Sequence, residues 1–211
     1  MYFAHSSKNT NKSNWQPLAQ HLSEAARLAA LFAAPCGYER AARLAGLLHD
    51  LGKYNPKFQH RLDGDSIRVE HSMAGAALIL ALAKNPRDKA IAELIAHAIA
   101  GHHAGLPDRI GDASSLNERM QGVDLGCLDQ AWSTELTFEA HDLAPAFAFQ
   151  SKVNGAFRLA FLGRMLFSCL VDADFKDTEA FYNRIEGTKA DQEWLELQST
   201  WGRAGPGYSD R

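Results

Sequence analysis

The fold is indicated first by the stretch Leu44-Ala45-Gly46-Leu47-Leu48-His49-Asp50-Leu51-Gly52-Lys53. Its apolar first half predicts a buried helix, and Gly52 is expected to end that helix. Two residues of metal-ligand type, His49 and Asp50, lie where the helix should stop, and the cation Lys53 follows them. Adjacent side chains point about 100° apart around a helix axis, but a loosened last turn lets them converge. The stretch therefore predicts a helix end that carries a metal-type site.

A second pair of metal-type residues, His102 and His103, occupies the same kind of position. The pair follows the apolar run Ile91–Ala100 and precedes Gly105. Apolar residues at helical spacing predict further helices. The predicted helices are Leu18–Ala34, Glu39–Asp50, a short turn within Asn55–Leu62, Met73–Ala83, a helix from Asp88 or Lys89 to Gly101, Phe157–Phe175 and Ala190–Trp201. No segment shows clear strand alternation, so the predicted fold class is all-α, a compact multi-helix bundle.

Length and composition limit the possible classes of protein. The 211 residues, 46% of them apolar, suit one globular domain, expected at 1–201 with a flexible tail or linker at 202–211. No apolar run is long enough for a membrane span, and no signal-type N-terminus is visible. The three cysteines form no CxxC pair, which favours reduced thiols and a cytoplasmic location. A net charge of −3 does not favour a stand-alone nucleic-acid binder.

Residues that can bind metal ions recur at the predicted helix ends. The set comprises His21, His49, Asp50, His71, His102, His103 and one of Asp172 and Asp174. Imidazole and carboxylate ligands together suit Mn, Ni, Co, Fe or Zn better than Mg alone, and the lack of cysteine argues against a structural zinc site. The set exceeds what one catalytic ion needs, so we expect two divalent ions. Two such ions can clamp both oxygens of a phosphoryl displacement.

The order of these motifs resembles the HD nuclease domain of the type I CRISPR-associated nuclease–helicase, within the HD metal-dependent phosphohydrolase superfamily. The resemblance covers about residues 2–180. The matching motifs are Phe3–Ser6, His21-Leu22, His49–Lys53, Phe58-Gln59, Glu70–Ser72, Gly101–Gly105 and Leu170–Phe175. Taken alone, the His49–Lys53 motif is moderately specific, but the full order is far more so. The resemblance implies an all-α HD-domain bundle.

The resemblance also implies a role for each residue of the set. One metal ion would be held by His21, His49, Asp50 and the C-terminal aspartate, and the second by Asp50, His71, His102 and His103. Asp50 would bridge the ions, and Lys53 would stabilise phosphate charge beside them. Asp172 and Asp174 should face roughly opposite ways on a helix. Asp172 continues an apolar face, whereas Asp174 matches the Ala-Asp-aromatic form of the family motif and is slightly favoured.

The function implied by the resemblance is metal-dependent cleavage, endonucleolytic or exonucleolytic, of single-stranded DNA. The substrate would be the strand displaced when a guide RNA pairs with its target. The implied partners are a helicase domain or subunit and the RNA-guided target-binding complex. No membrane association is expected, and the default expectation for the chain alone is a monomer. The alternative is a phosphohydrolase of the same superfamily that acts on nucleotides or cyclic nucleotides. A third hypothesis is a binding subunit with a degenerate site, but every expected ligand is present.

Overall fold

A computed structural model describes residues 1–9, 11–138 and 154–187 of the chain. Within these ranges helices are the main secondary structure, so the predicted all-α class is confirmed. The α-helices are α1 (Leu18–Ala33), α2 (Glu39–Leu48), α3 (Pro56–Leu62), α4 (Met73–Leu82), α5 (Pro86–Gly101), α6 (Leu116–Met120), α7 (Ala131–Glu135) and α8 (Gly155–Glu186). Short 3₁₀ helices span Ala34–Cys36, Leu51–Tyr54 and Leu125–Cys127. None of the described helices combines the length and apolarity needed to cross a membrane.

A minimal antiparallel sheet joins the N-terminus to the bundle. Strand β1 (Phe3–His5) pairs with β2 (Gln16–Pro17), directly before α1. Neither strand was predicted from the sequence, because neither is long enough to show a period of two. The sheet is short but fixes where the N-terminal segment lies, since the Leu18 N–H also donates to the Tyr2 carbonyl at 2.8 Å.

The hydrophobic core lies where α1, α2, α5 and α8 pack against one another, with α4 packed on α5. Fully buried side chains such as Leu22, Leu44, Ile95 and Leu170 come from all four central helices. Burying one such side chain contributes roughly 1.5–3 kcal/mol of transfer free energy. Close packing of α4 on α2 depends on a small residue, because Gly75 of α4 lies against the Leu48 carbonyl at the end of α2.

The predicted end of α2 and the predicted start of α5 were wrong. The helix predicted to reach Asp50 ends at Leu48, and Gly52 lies inside the following 3₁₀ helix. Asn85 begins α5, because its side chain accepts hydrogen bonds from the Arg87 and Asp88 backbone N–H groups. Pro86 is therefore the first helical residue, a position that suits its missing N–H.

The last described helix, α8, is longer than predicted. It was predicted to span Phe157–Phe175 but begins at Gly155 and continues to Glu186. The reason is that Ala173, Asp177 and Phe181, spaced four residues apart, all remain buried on one face. The predicted helix at 190–201 and the tail at 202–211 lie outside the described residues.

Candidate metal centre

Side chains from five segments of the chain meet in one place, called here the histidine–aspartate cluster. Four of its seven members are buried, and exposure is greatest at His103. The cluster therefore has a closed interior and one open edge. Its members are His21 from α1, His49 and Asp50 after α2, His71 before α4, His102 and His103 after α5, and Asp174 from α8.

The backbone after α2 explains how adjacent residues reach one point. His49 keeps helical angles, with φ −58° and ψ −37°. Asp50 does not, because its φ of −111° and ψ of 23° lie between the helical and extended regions. The change of direction turns the Asp50 carboxylate toward the same side as the His49 ring. The loosened last turn thus lets two adjacent side chains point to the same site, which a regular helix does not allow.

Gly52 places His71 beside this turn. The Gly52 N–H donates to the His71 carbonyl at 3.2 Å, and a Cβ on Gly52 would overlap the His71 backbone. The φ of Gly52 is not positive, so the residue serves close approach rather than an unusual backbone conformation. The sequence interpretation of Gly52 as a helix terminator is corrected accordingly.

Hydrogen bonds fix the orientation of the three most buried imidazoles. His49 Nδ1 lies 2.8 Å from the Gly46 carbonyl, and His102 Nδ1 lies 2.6 Å from the Ile99 carbonyl. His21 Nδ1 lies 2.6 Å from Asp177 Oδ2. Carbonyl and carboxylate oxygens accept only, so in each ring Nδ1 carries the hydrogen. When these rings are neutral, each Nε2 lone pair faces the centre of the cluster, as in metal-binding histidines.

Asp50 lies between two groups of imidazoles. Its Oδ2 is 3.6 Å from His21 Nε2 and 3.5 Å from His49 Nε2. Its Oδ1 is 3.5 Å from both His71 Nε2 and His102 Nε2. One carboxylate thus presents a separate oxygen to each group.

These groups fit divalent ions. Asp50 belongs to two sets of candidate ligands. The first set is His21, His49 and Asp50, and the second is Asp50, His71, His102 and His103. A third set consists of His49, His102 and Asp174. Asp50 Oδ1 and His102 Nε2 are buried with no hydrogen-bond partner among the described residues. Such unpaired atoms cost about 1–3 kcal/mol each, more if charged, and a cation bound to both would remove that cost. Nitrogen and oxygen donors without sulfur suit Mn, Fe, Co, Ni or Zn.

Positive charge is favoured in the interior of the cluster but not at its open edge. Burial alone would raise the pKa of the Asp50 carboxyl, but the Lys53 ammonium and His49 hold that pKa well below its usual range. Burial opposes protonation of His21, yet hydrogen bonds to Asp177 and Asp50 raise its pKa to about 9. At the open edge, burial and the neighbouring His102 lower the pKa of His103 to about 4. His103 is therefore neutral and able to bind metal at neutral pH.

Lys53 does not face the open edge. It is 5% exposed, and its Nζ lies 2.6 Å from Asp50 Oδ2 and donates to the Ala4 carbonyl at 3.2 Å. The family resemblance had implied that this cation would lie beside the ions and stabilise phosphate charge. The observed contacts instead hold the Asp50 carboxylate in place from behind.

The structure distinguishes the two candidate aspartates of α8. Asp174 Oδ1 lies 3.4 Å from His21 Nε2 and 3.5 Å from His49 Nε2. Asp172 is exposed and belongs to none of the groups found among the described residues. The alternative that Asp172 is a ligand is therefore corrected: the packing of α8 on α1 turns Asp174, not Asp172, toward the cluster.

Asp177 was missed by sequence analysis. It is 8% exposed, and its Oδ2 accepts from both His21 Nδ1 and Gln16 Nε2, the latter at 2.7 Å. A carboxylate behind a metal-binding histidine commonly fixes the ring and raises its basicity. The spacing of three residues from Asp174, which puts both on one helix face, was the signal available in the sequence.

We expect Asp174→Asn to weaken Mn²⁺ binding at least about tenfold, because it removes a charged ligand candidate beside His21 and His49. Isothermal titration calorimetry of the chelator-stripped protein measures this change. Asp172→Asn is the matched control, with the same chemistry two residues away on an exposed surface, and should bind as the wild type does. Equal losses in both variants would show that general negative charge, not ligation, is responsible.

A sequence model of the HD domain matches residues 18–132, more than half of the chain, including every imidazole of the cluster. The chain belongs to the HD domain family. Membership implies a metal-dependent phosphohydrolase. The HD match ends before α8, so Asp174 and Asp177 lie outside the matched range.

One curated relative is Ribonuclease Y of Syntrophobacter fumaroxidans (strain DSM 10017 / MPOB), which is 37% identical over 93 residues. The aligned region is 44% of this chain but only 15% of that relative. This chain therefore corresponds to a small part of the ribonuclease.

Proposed function

We propose that the protein is a metal-dependent nuclease that cleaves single-stranded DNA during CRISPR interference. The observation that carries the proposal is the position of Asp50, whose two carboxylate oxygens face two separate groups of imidazoles. That arrangement is suited to two ions held close together. Single-stranded DNA is proposed as the substrate because the order of the motifs from Phe3 to Phe175 resembles that of the CRISPR-associated HD nuclease domain.

The residues of the cluster have different roles in the proposed reaction. Two bound divalent ions would activate water for attack on phosphorus and stabilise the attacking and leaving oxygens. Asp50 spans both positions, and Lys53 holds Asp50 from the buried side. The interior is closed by buried side chains, so the phosphodiester approaches from the open edge, where His103 is exposed and His71 and Asp174 are partly exposed.

RNA is a second candidate substrate, because the relative that matches part of this chain is a ribonuclease by name. Hydrolysis of nucleotides or cyclic nucleotides is the alternative from the same superfamily, since it uses the same metal chemistry. The net charge of −3 suggests weak intrinsic DNA affinity. We therefore propose that a helicase domain or subunit and the RNA-guided complex deliver the strand to a cytoplasmic monomer.

The test uses chelator-stripped protein with circular single-stranded DNA and with RNA of the same sequence. Mg, Mn, Ni, Co, Fe and Zn are added back one at a time. Transition-metal-dependent cutting of the circle supports a DNA endonuclease, because a circle offers no end. Cutting of RNA alone, or turnover of nucleotides with neither polymer cut, overturns the DNA assignment.

A further inference from the structure

A groove adjoins the open edge of the cluster. It is lined by Arg61, Arg68, Glu70, His71, His103 and Arg119, and has a volume of about 450 Å³. We call it the arginine groove. His71 and His103 belong both to this groove and to the cluster, and their Nε2 atoms lie 3.1 Å apart. A ligand in the groove would thus lie directly beside the candidate metal centre.

Two of the charged groups in the groove, Glu70 and Arg119, form hydrogen bonds and an ion pair within the protein. The Glu70 carboxylate accepts from the Ser72 N–H at 2.8 Å and from the Ser72 hydroxyl at 2.6 Å. Arg119 donates to the Ala100 carbonyl at 2.7 Å and to the Ser72 hydroxyl at 3.0 Å, and its guanidinium lies 3.6 Å from Glu70. Glu70 and Arg119 offset each other's charge, so they contribute little net field to the groove.

Arg61 and Arg68 differ from this pair. Both are exposed, and neither forms an ion pair within the described residues. The Arg61 guanidinium lies 5.9 Å from the Phe58 ring, which also lies 5.0 Å from the His71 ring. The groove therefore carries a positive charge on an otherwise acidic protein. Guanidinium groups are well matched to phosphate oxygens.

We infer that the arginine groove binds the backbone phosphates of single-stranded DNA next to the bond that is cut, with Arg61 and Arg68 as the contacts. The inference rests on the proposed function, because it takes the substrate class from it. It adds the direction in which the strand leaves the metal centre: over His71 and His103, along the segment from Arg61 to Arg68.

The test compares Arg61→Ala/Arg68→Ala with the charge-matched control Arg40→Ala/Arg158→Ala. Arg40 lies about 14 Å along α2 from His49, and Arg158 about 24 Å along α8 from Asp174, by helix geometry. Binding of a short labelled oligothymidylate is measured in chelator, where no cutting occurs, between about 50 and 200 mM salt. The groove variant should bind at least about tenfold more weakly at low salt, and its log–log salt slope should be smaller by about 1.4, or about 0.7 per phosphate lost.

A groove variant with wild-type affinity and salt slope would overturn the inference, and so would an equal loss in the control. An oligouridylate that loses affinity while the oligothymidylate does not would assign the groove to RNA and overturn the DNA assignment. Hydrolysis of bis-p-nitrophenyl phosphate with Mn²⁺ tests the proposed function separately, because this small diester does not need the groove. Equal turnover by both variants, together with loss of DNA binding by the groove variant alone, supports the inference.

Discussion

Asp50→Asn should abolish phosphodiester hydrolysis and weaken metal binding at both groups of imidazoles at once. The variant keeps the shape of the side chain but removes the charge that Oδ1 and Oδ2 present on either side. Metal catalysis of this kind supplies several kcal/mol, so the loss should reach roughly a thousandfold or more. Hydrolysis of bis-p-nitrophenyl phosphate and calorimetric Mn²⁺ titration measure the two effects.

The same substitution should destabilise the protein. The Lys53 ammonium, 5% exposed and 2.6 Å from Asp50 Oδ2, would lose its counter-charge. Breaking a buried ion pair from one side costs about 3–5 kcal/mol. Urea denaturation in chelator should show this loss in Asp50→Asn. The double variant Asp50→Asn/Lys53→Met should recover much of it, because no unpaired charge remains.

The double variant is also the control for activity. It should fold and still fail to hydrolyse the diester, which separates loss of the site from loss of the fold. Full nuclease activity in Asp50→Asn would remove Asp50 from the mechanism and contradict the proposed function.

Gly75→Ala should lower the free energy of unfolding by about 3 kcal/mol, one of the largest effects of a single methyl group in this chain. A Cβ at this position would overlap the Leu48 carbonyl oxygen, which is backbone and cannot rotate away. Helices α2 and α4 would have to separate where His49 and Asp50 follow. Urea denaturation measures the stability, and Mn²⁺ titration should show weaker binding by the folded variant.

Gly163→Ala is the matched control. Gly163 is also helical and buried, but its added Cβ would meet only the Leu94 Cδ2 atom at 3.3 Å. That atom is the end of a flexible side chain, and alanine is favoured over glycine in a helix by about 1 kcal/mol. Gly163→Ala should therefore be neutral or stabilising. If Gly75→Ala unfolded like the wild type, the close approach of α2 and α4 would not limit stability.

The sequence by itself determined the fold class and the chemical nature of the site. Apolar spacing near 3.6 residues located α1, α2 and α4 to within one or two residues at each end, because helical geometry is local. The residue types were equally informative, since imidazoles and carboxylates at helix ends indicate nitrogen and oxygen metal ligands. Prediction was poorest where local rules compete, as at Asn85, which both follows one helix and caps the next.

Only the tertiary structure decided which of these residues meet. The sequence left both Asp172 and Asp174 as candidates, and the packing of α8 on α1 brings Asp174 to His21. Asp177 and His21 are 156 residues apart, so no local pattern could pair them. Lys53 was predicted to stabilise substrate phosphate, but in the structure it is buried against Asp50. The physical reason is the same each time: sequence spacing fixes the face of a helix, whereas packing between distant helices decides what that face touches.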